Sequence, residues 1–256
     1  MGRLQSCVNG STPMKARKAK AFLKQLISLL RSDDELSRLR TLTGVSESLL
    51  ALSEIAPSLV EHHNNLRKAY PSLDSIDTLL ASFSDVQNQP ATLSLDLGCG
   101  EKPRNPFGAA EWFGVDIRED LESNILYANL ATEAIPCKAG HFDYCTAFDV
   151  IEHIPRILPT AEGGTRFPFI ELMNDIYRVL KPGGIFLHQT PAFPCKQSFQ
   201  DPTHVNIITE DTFPYYFCEP NLYANKIGYG FTGKFELLYQ GWLDTAWIVG
   251  ILKAIK

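Results

Sequence analysis

The chain has 256 residues, 45% of them hydrophobic and 21% charged, which is enough to bury a substantial core at the upper end of single-domain size. A net charge of −5 provides no overall attraction for a polyanion and argues against a nucleic-acid substrate. The six cysteines (Cys7, Cys99, Cys137, Cys145, Cys195, Cys218) form no CxxC pair. Reduced thiols in a cytoplasmic protein fit this scatter better than a disulfide framework.

Residues 15–83 read as helical: Phe22, Leu23, Leu26, Ile27, Leu29 and Leu30 recur at spacings of three and four, and Leu36, Leu39 and Leu42 continue the pattern. Further turns follow over 49–55 and 59–66, with Pro57 and Pro71 as punctuation and 74–80 as a last short helix. The apolar stretch 21–30 is interrupted by Lys24 and followed by no small-residue cleavage site, so it does not read as a targeting signal. No run approaches the roughly 18 apolar residues of a membrane span. The polar stretch 85–90 ends in proline and reads as a linker, dividing a helical region (1–84) from a second unit (85–256).

Beyond the linker, short apolar runs alternate with turns and helical stretches. Strands are predicted over 92–97, 112–117, 142–150 and 185–189, and a helix over 168–180 closes at Lys181-Pro182-Gly183-Gly184. This alternation predicts a mostly parallel, doubly wound α/β sheet. Residues 235–239 and 246–252 have no helix-length connection between them, so a terminal antiparallel pair is expected.

The first strand runs directly into Gly98-Cys99-Gly100, and Asp116-Ile117 ends the second, 18 residues after Gly98. In open α/β sheets ligands lie over the carboxyl ends of the strands; glycines let the backbone approach, and an acidic residue about 20 positions on can accept bonds from ribose hydroxyls. A dinucleotide site would want a third glycine, but Glu101-Lys102-Pro103 follows instead, which favours a ligand without a pyrophosphate. Pro103, Pro106 and Gly108 also disfavour a regular helix between these two strands. An irregular crossover is expected there, with Lys102, Arg104 and Asn105 either facing the ligand or substrate or lying in a solvated loop.

The motifs DLGCG, VDI, FDYCTAFDVIEHI and RVLKPGG, in that order over about 93–190, resemble those of the class I, Rossmann-like S-adenosylmethionine-dependent methyltransferases. The resemblance implies a seven-stranded Rossmann-like sheet and S-adenosylmethionine as cofactor. It places Asp96, Gly98, Cys99 and Gly100 at the methionine end and Asp116 with Ile117 at the ribose. It also puts Asn129-Leu130 where adenine is contacted and Phe148-Asp149 across the pocket.

Methyl transfer to a hydroxyl benefits from a general base, and histidine suits neutral pH. His153 follows the fourth strand and His204 lies in the long segment 191–231; these two are the catalytic candidates, with Asp201 and Arg104 on the substrate side. His188, inside a strand, reads equally as a hydrogen-bonded core residue, and His141, His62 and His63 read as surface. Asp201 and His204 alone are weak evidence for a metal, so no metal site is assigned. Residues 201–213 loosely resemble a loop of methyltransferases of bacterial glycan assembly, which favours a saccharide or glycan acceptor. The aromatics of 191–231 suit sugar stacking or lid packing. A non-catalytic cofactor-binding scaffold, a lipid or other small-molecule acceptor, and a nicotinamide oxidoreductase are the alternatives, the last disfavoured by the missing glycine. The N-terminal helices could cap the site, dimerise or dock a partner.

Overall fold

The structure, a computed structural model, describes residues 70–83 and 91–256. The helices predicted before residue 70 and the linker at 85–90 lie outside the described residues.

Among the described residues ten strands are formed: β1 (Ser72–Leu73), β2 (Leu93–Leu97), β3 (Glu111–Asp116), β4 (Ile125–Tyr127), β5 (Phe142–Phe148), β6 (Leu158–Pro159), β7 (Thr165–Arg166), β8 (Leu180–Pro191), β9 (Phe235–Leu243) and β10 (Trp247–Ala254). The helices are α1 (Ile76–Ala81), α2 (Pro168–Val179), α3 (Gln197–Gln200), α4 (Thr212–Tyr216) and α5 (Tyr223–Lys226). Eight strands make one sheet in the order β1-β9-β10-β8-β5-β2-β3-β4, and β6 with β7 forms a separate ribbon. β4, β3, β2, β5 and β8 are parallel, and β10 runs antiparallel between β8 and β9. The Rossmann-like sheet and terminal antiparallel pair expected from the sequence are present. The eighth strand is β1, which pairs parallel with β9, so the sheet draws on residues before the expected linker.

Side-chain alternation along the strands divides the core into two layers. Cys145, Ala147 and Phe186 face one side with Leu95, Leu97 and Val115, and are covered by Met173, Ile176 and Val179 of α2. Tyr144, Phe148, Ile185 and Leu187 face the other, with Leu79 and Leu80 of α1. α2 starts with Pro168 at its first turn and buries Phe169, Leu172, Met173, Ile176 and Val179 along one stripe. Each such side chain contributes about 1.5–3 kcal/mol when fully buried.

The predicted irregular crossover is observed: residues 101–110 hold no helix. Phe107 from this loop is buried and stacks on Tyr144 at 4.4 Å, filling the space over the sheet that a helix would otherwise cover. Asn105, predicted to face ligand or solvent, instead closes the loop through both hydrogen bonds to Ala109 (2.9 and 2.8 Å). The segment 191–231, read as a loop with aromatic lid residues, contains α3, α4 and α5. Phe213, Phe217 and Phe231 are core residues, while Phe193, Phe199, Tyr215 and Tyr229 stay exposed. The five described cysteines, Cys99, Cys137, Cys145, Cys195 and Cys218, are free thiols. No helix among the described residues is long and apolar enough to cross a membrane.

Candidate active site

Because β2, β3, β4, β5 and β8 are parallel, their carboxyl ends lie along one edge of the sheet. The strand order reverses direction at β2, so this edge is the topological switch point where such sheets bind ligands.

Asp96 is buried, and it is fully engaged: Thr146 donates its hydroxyl to Oδ1 (2.6 Å) and the Arg104 amide donates to Oδ2 (2.8 Å). Burial pushes its pKa up against both hydrogen bonds. Its role in the apo protein is to tie the crossover loop to β2 and β5. The Arg104 side chain lies over the Phe148 ring at 4.6 Å, on the same edge.

Gly98 and Gly100 have φ of +62° and +66°, the left-handed region that favours glycine. A Cβ on Gly98 would stand 2.4 Å from Val150 Cγ2, so that position admits no side chain. On Gly100 it would meet nothing closer than the Arg118 guanidinium at 3.8 Å, leaving an open face where a ligand can approach the backbone. Cys99 lies between them and faces inward: its Sγ would be 2.3 Å from a Cβ on Gly114. Burial pushes its thiol up to about 11, so it is a packing group and no nucleophile.

Asp116, at the end of β3, accepts from the Gly100 amide (2.9 Å), the Arg118 amide (3.2 Å) and Arg118 Nε (2.9 Å). Burial works against ionisation, but the Arg118 side chain and these amides hold the carboxyl below its usual range. The carboxylate is therefore charged and prepared to accept more donors. Arg118 is 63% exposed and can leave at little cost. Ile117 is also exposed, as an apolar wall at this edge. Asn129 begins a turn, its Oδ1 accepting from the Ala131 amide (3.1 Å), with Leu130 buried behind it. Asp149 sits at φ +53° and is held by Gln189 Nε2 (3.0 Å) and Trp247 Nε1 (2.8 Å), so its carboxylate is already committed to the fold.

The second half of the site was only partly legible in the sequence. After β5 a 3-10 turn, Ile151–His153, carries Glu152 and His153. The loop after α3 is stapled onto this turn: the amides of Val205 and Asn206 both donate to the Glu152 carbonyl (2.9 Å each), and Asn206 Nδ2 donates to the Ile151 carbonyl (3.1 Å). That docking brings His204 to His153, their rings 4.8 Å apart at 78°, and sets His204 Nε2 4.0 Å from Glu152 Oε1. Burial pushes the Glu152 carboxyl up to about 7, against the hydrogen bond Thr190 donates to its Oε2 (2.9 Å).

The tautomer of His153 follows from its neighbours. Thr203 Oγ1 has a single proton, donated to Asp201 Oδ1 at 2.7 Å; its 2.9 Å contact with His153 Nδ1 therefore takes the imidazole N–H as donor. Nε2 of His153 is left as a bare acceptor. Asp201 thus positions the loop, through Thr203, and is not itself in the cluster. Glu152 and Thr203 were not among the residues picked out from the sequence; their adjacency to His153 and His204 was the available signal.

His188 differs from the hydrogen-bonded core reading. It is fully buried, stacks on Phe213 at 3.7 Å, and neither ring nitrogen has a partner among the described residues. Burial pushes its pKa down to about 3, so it is a neutral packing group.

The fold and this edge define an open, mostly parallel α/β domain with a glycine turn and a charged carboxylate at the carboxyl ends of its strands. A family model described as a methyltransferase domain matches residues 66–222, and the chain belongs to that family: it is a class I, Rossmann-like S-adenosylmethionine-dependent methyltransferase. No curated protein sequence matches the chain. Similar solved structures include a SAM-dependent methyltransferase from Aquifex aeolicus, at 11% identity over 70% of this chain and 90% of that one, TM-score 0.46. Another from Archaeoglobus fulgidus has 16% identity over 70% and 92%, TM-score 0.43. A sarcosine dimethylglycine methyltransferase candidate from Galdieria sulphuraria has 22% identity over 48% and 49%, TM-score 0.33.

Proposed function

We propose that the enzyme methylates a hydroxyl group on a saccharide or glycan intermediate. In this reading Gly98, Gly100 and Asp96 form the methionine end of the cofactor cradle, Asp116 accepts from the ribose hydroxyls, and Ile117 with Leu130 flanks the base. The open face of Gly100 and the exposed Arg118 are the features of this chain that fit such a ligand. When bound, S-adenosylmethionine supplies an electrophilic methyl group on a sulfonium. In a transfer to an acceptor hydroxyl, whose oxygen would gain the methyl group as sulfur keeps the carbon–sulfur pair, His153 Nε2 would take the hydroxyl proton and the product would be a methyl ether. The carrying observation is the Asp201–Thr203–His153 chain, which fixes the tautomer whose Nε2 can take that proton.

A cavity of about 520 Å³ adjoins these groups in sequence: Arg156 and Ile207, each three residues beyond a histidine of the pair, line it with Phe167, Phe193, Tyr216 and Tyr229. Such rings can stack on the apolar face of a sugar. Their largely apolar character also favours a second reading, an acceptor with an aromatic or lipid portion. A cytoplasmic setting suits the free thiols.

Methyl-labelled S-adenosylmethionine incubated with the enzyme and fractionated host extract separates the readings. Label in the glycan fraction supports the first, and label confined to lipid or aromatic small molecules supports the second. Label in protein amides or amines would sink both.

A further inference from the structure

Three side chains at this edge converge in a way that proton transfer alone does not require. One carboxylate oxygen of Glu152 and one ring nitrogen each of His153 and His204 lie within 4.8 Å of one another. Two of them are also held by residues outside the cluster: Glu152 Oε2 accepts from Thr190 while Oε1 lies toward His204, and His153 Nδ1 is bonded to Thr203. This is the arrangement by which outer partners orient metal ligands. His204 adds an independent sign. Its side chain is only 10% exposed, Nδ1 is buried without a hydrogen bond, and Nε2 lies 4.0 Å from Glu152 Oε1. A buried ring nitrogen left without a hydrogen bond is costly unless a further group completes it. The rings meet edge to face at 78°, so they do not stack on each other.

We propose that Glu152, His153 and His204 form a three-ligand site for a divalent transition cation of the zinc type. Two imidazoles and one carboxylate select such an ion over magnesium or calcium, which prefer all-oxygen shells. With bonds of about 2.1 Å, tetrahedral donors lie roughly 3.4 Å apart, so donors now within 4.8 Å of one another close in by up to about 1.4 Å on binding. Three protein ligands leave a fourth position open, as in catalytic sites. That position suits an acceptor hydroxyl, whose acidity the cation raises while its proton passes to solvent; His153 then acts through the cation in place of taking the proton itself. This role rests on the hydroxyl-methylation reading, whereas binding of the cation does not.

The test uses the tag-free full chain, stripped with chelator and titrated with Co²⁺ alone, with no acceptor present. The expected result is a saturable visible ligand-field band at one equivalent, abolished by Zn²⁺. His153→Gln and His204→Gln should each weaken Co²⁺ binding at least about tenfold, and Glu152→Gln, which keeps the Thr190 contact, should do the same. Calorimetric binding of S-adenosylhomocysteine should be unchanged in all three, which shows that each variant is folded. No saturable band in the wild type, or folded variants that bind Co²⁺ like the wild type, overturns the site whatever the substrate proves to be.

Discussion

Replacing Asp116 with asparagine tests the cofactor cradle most directly. In the free enzyme the carboxylate holds three donors, two of them from Arg118, whose side chain is 63% exposed. Two ribose hydroxyls arriving at a charged carboxylate would each gain about 1.5–3 kcal/mol. Displacing the exposed arginine side chain costs no more than about 1 kcal/mol. Asparagine keeps one acceptor oxygen, so the Gly100 amide stays satisfied and one ribose bond survives in weaker, neutral form. The net loss is about 2–3 kcal/mol, or roughly 30- to 150-fold in the dissociation constant for S-adenosylhomocysteine. Isothermal titration calorimetry reads this number. Arg118→Ala serves as the internal control, and its binding should stay equal to the wild type or tighten. An Asp116→Asn variant within about threefold of the wild type, or a loss in Arg118→Ala as large as that in Asp116→Asn, refutes the assignment of the ribose to this carboxylate.

Two further outcomes are expected. Thr203→Val removes the acceptor for His153 Nδ1–H; turnover should fall about 10- to 100-fold with cofactor affinity unchanged, and Thr203→Ser should restore it. Equal turnover in Thr203→Val would remove Asp201 and Thr203 from any positioning role. His188, held neutral by burial with a folded pKa of about 3, takes up its proton in the unfolded chain near the usual 6.5. Stability from this site is therefore complete above pH 6.5 and is lost progressively as pH falls from 6.5 toward 3, by about 2 kcal/mol at pH 5. His188→Leu should flatten the fall in urea midpoint between pH 7 and pH 5; a slope as steep as that of the wild type would show that other groups carry the acid sensitivity.

Much of this architecture is local information. Glycine pairs that end strands, the proline-broken stretch after Gly100, the stripe of α2 and the period-two burial of β5 and β8 all depend on neighbours a few residues apart, where backbone sterics and side-chain spacing decide. The positions of Gly98, Gly100 and Asp116 at the strand ends were legible for the same reason: two strand ends, one motif each. Even the absence of a helix over 101–110 followed from Pro103, Pro106 and Gly108. What filled that space, Phe107 against Tyr144, did not, because the two rings come from segments nearly forty residues apart in the chain.

The catalytic half depended on tertiary contacts. His153 and His204 were visible as separate candidates, but nothing local says that they meet; the amides of Val205 and Asn206 bonding the Glu152 carbonyl bring them together across some fifty residues. Glu152 was not singled out in the sequence; in the fold it is buried, held by Thr190 through Oε2, with Oε1 toward His204. Asp149 was expected in the pocket and is instead held by Trp247, 98 positions on. The sequence alone thus determined the glycine turn and the acidic strand end, because these are short-range structures. Only the tertiary structure decided that Glu152, His153 and His204 come together, because that depends on how a distant loop satisfies its backbone hydrogen bonds.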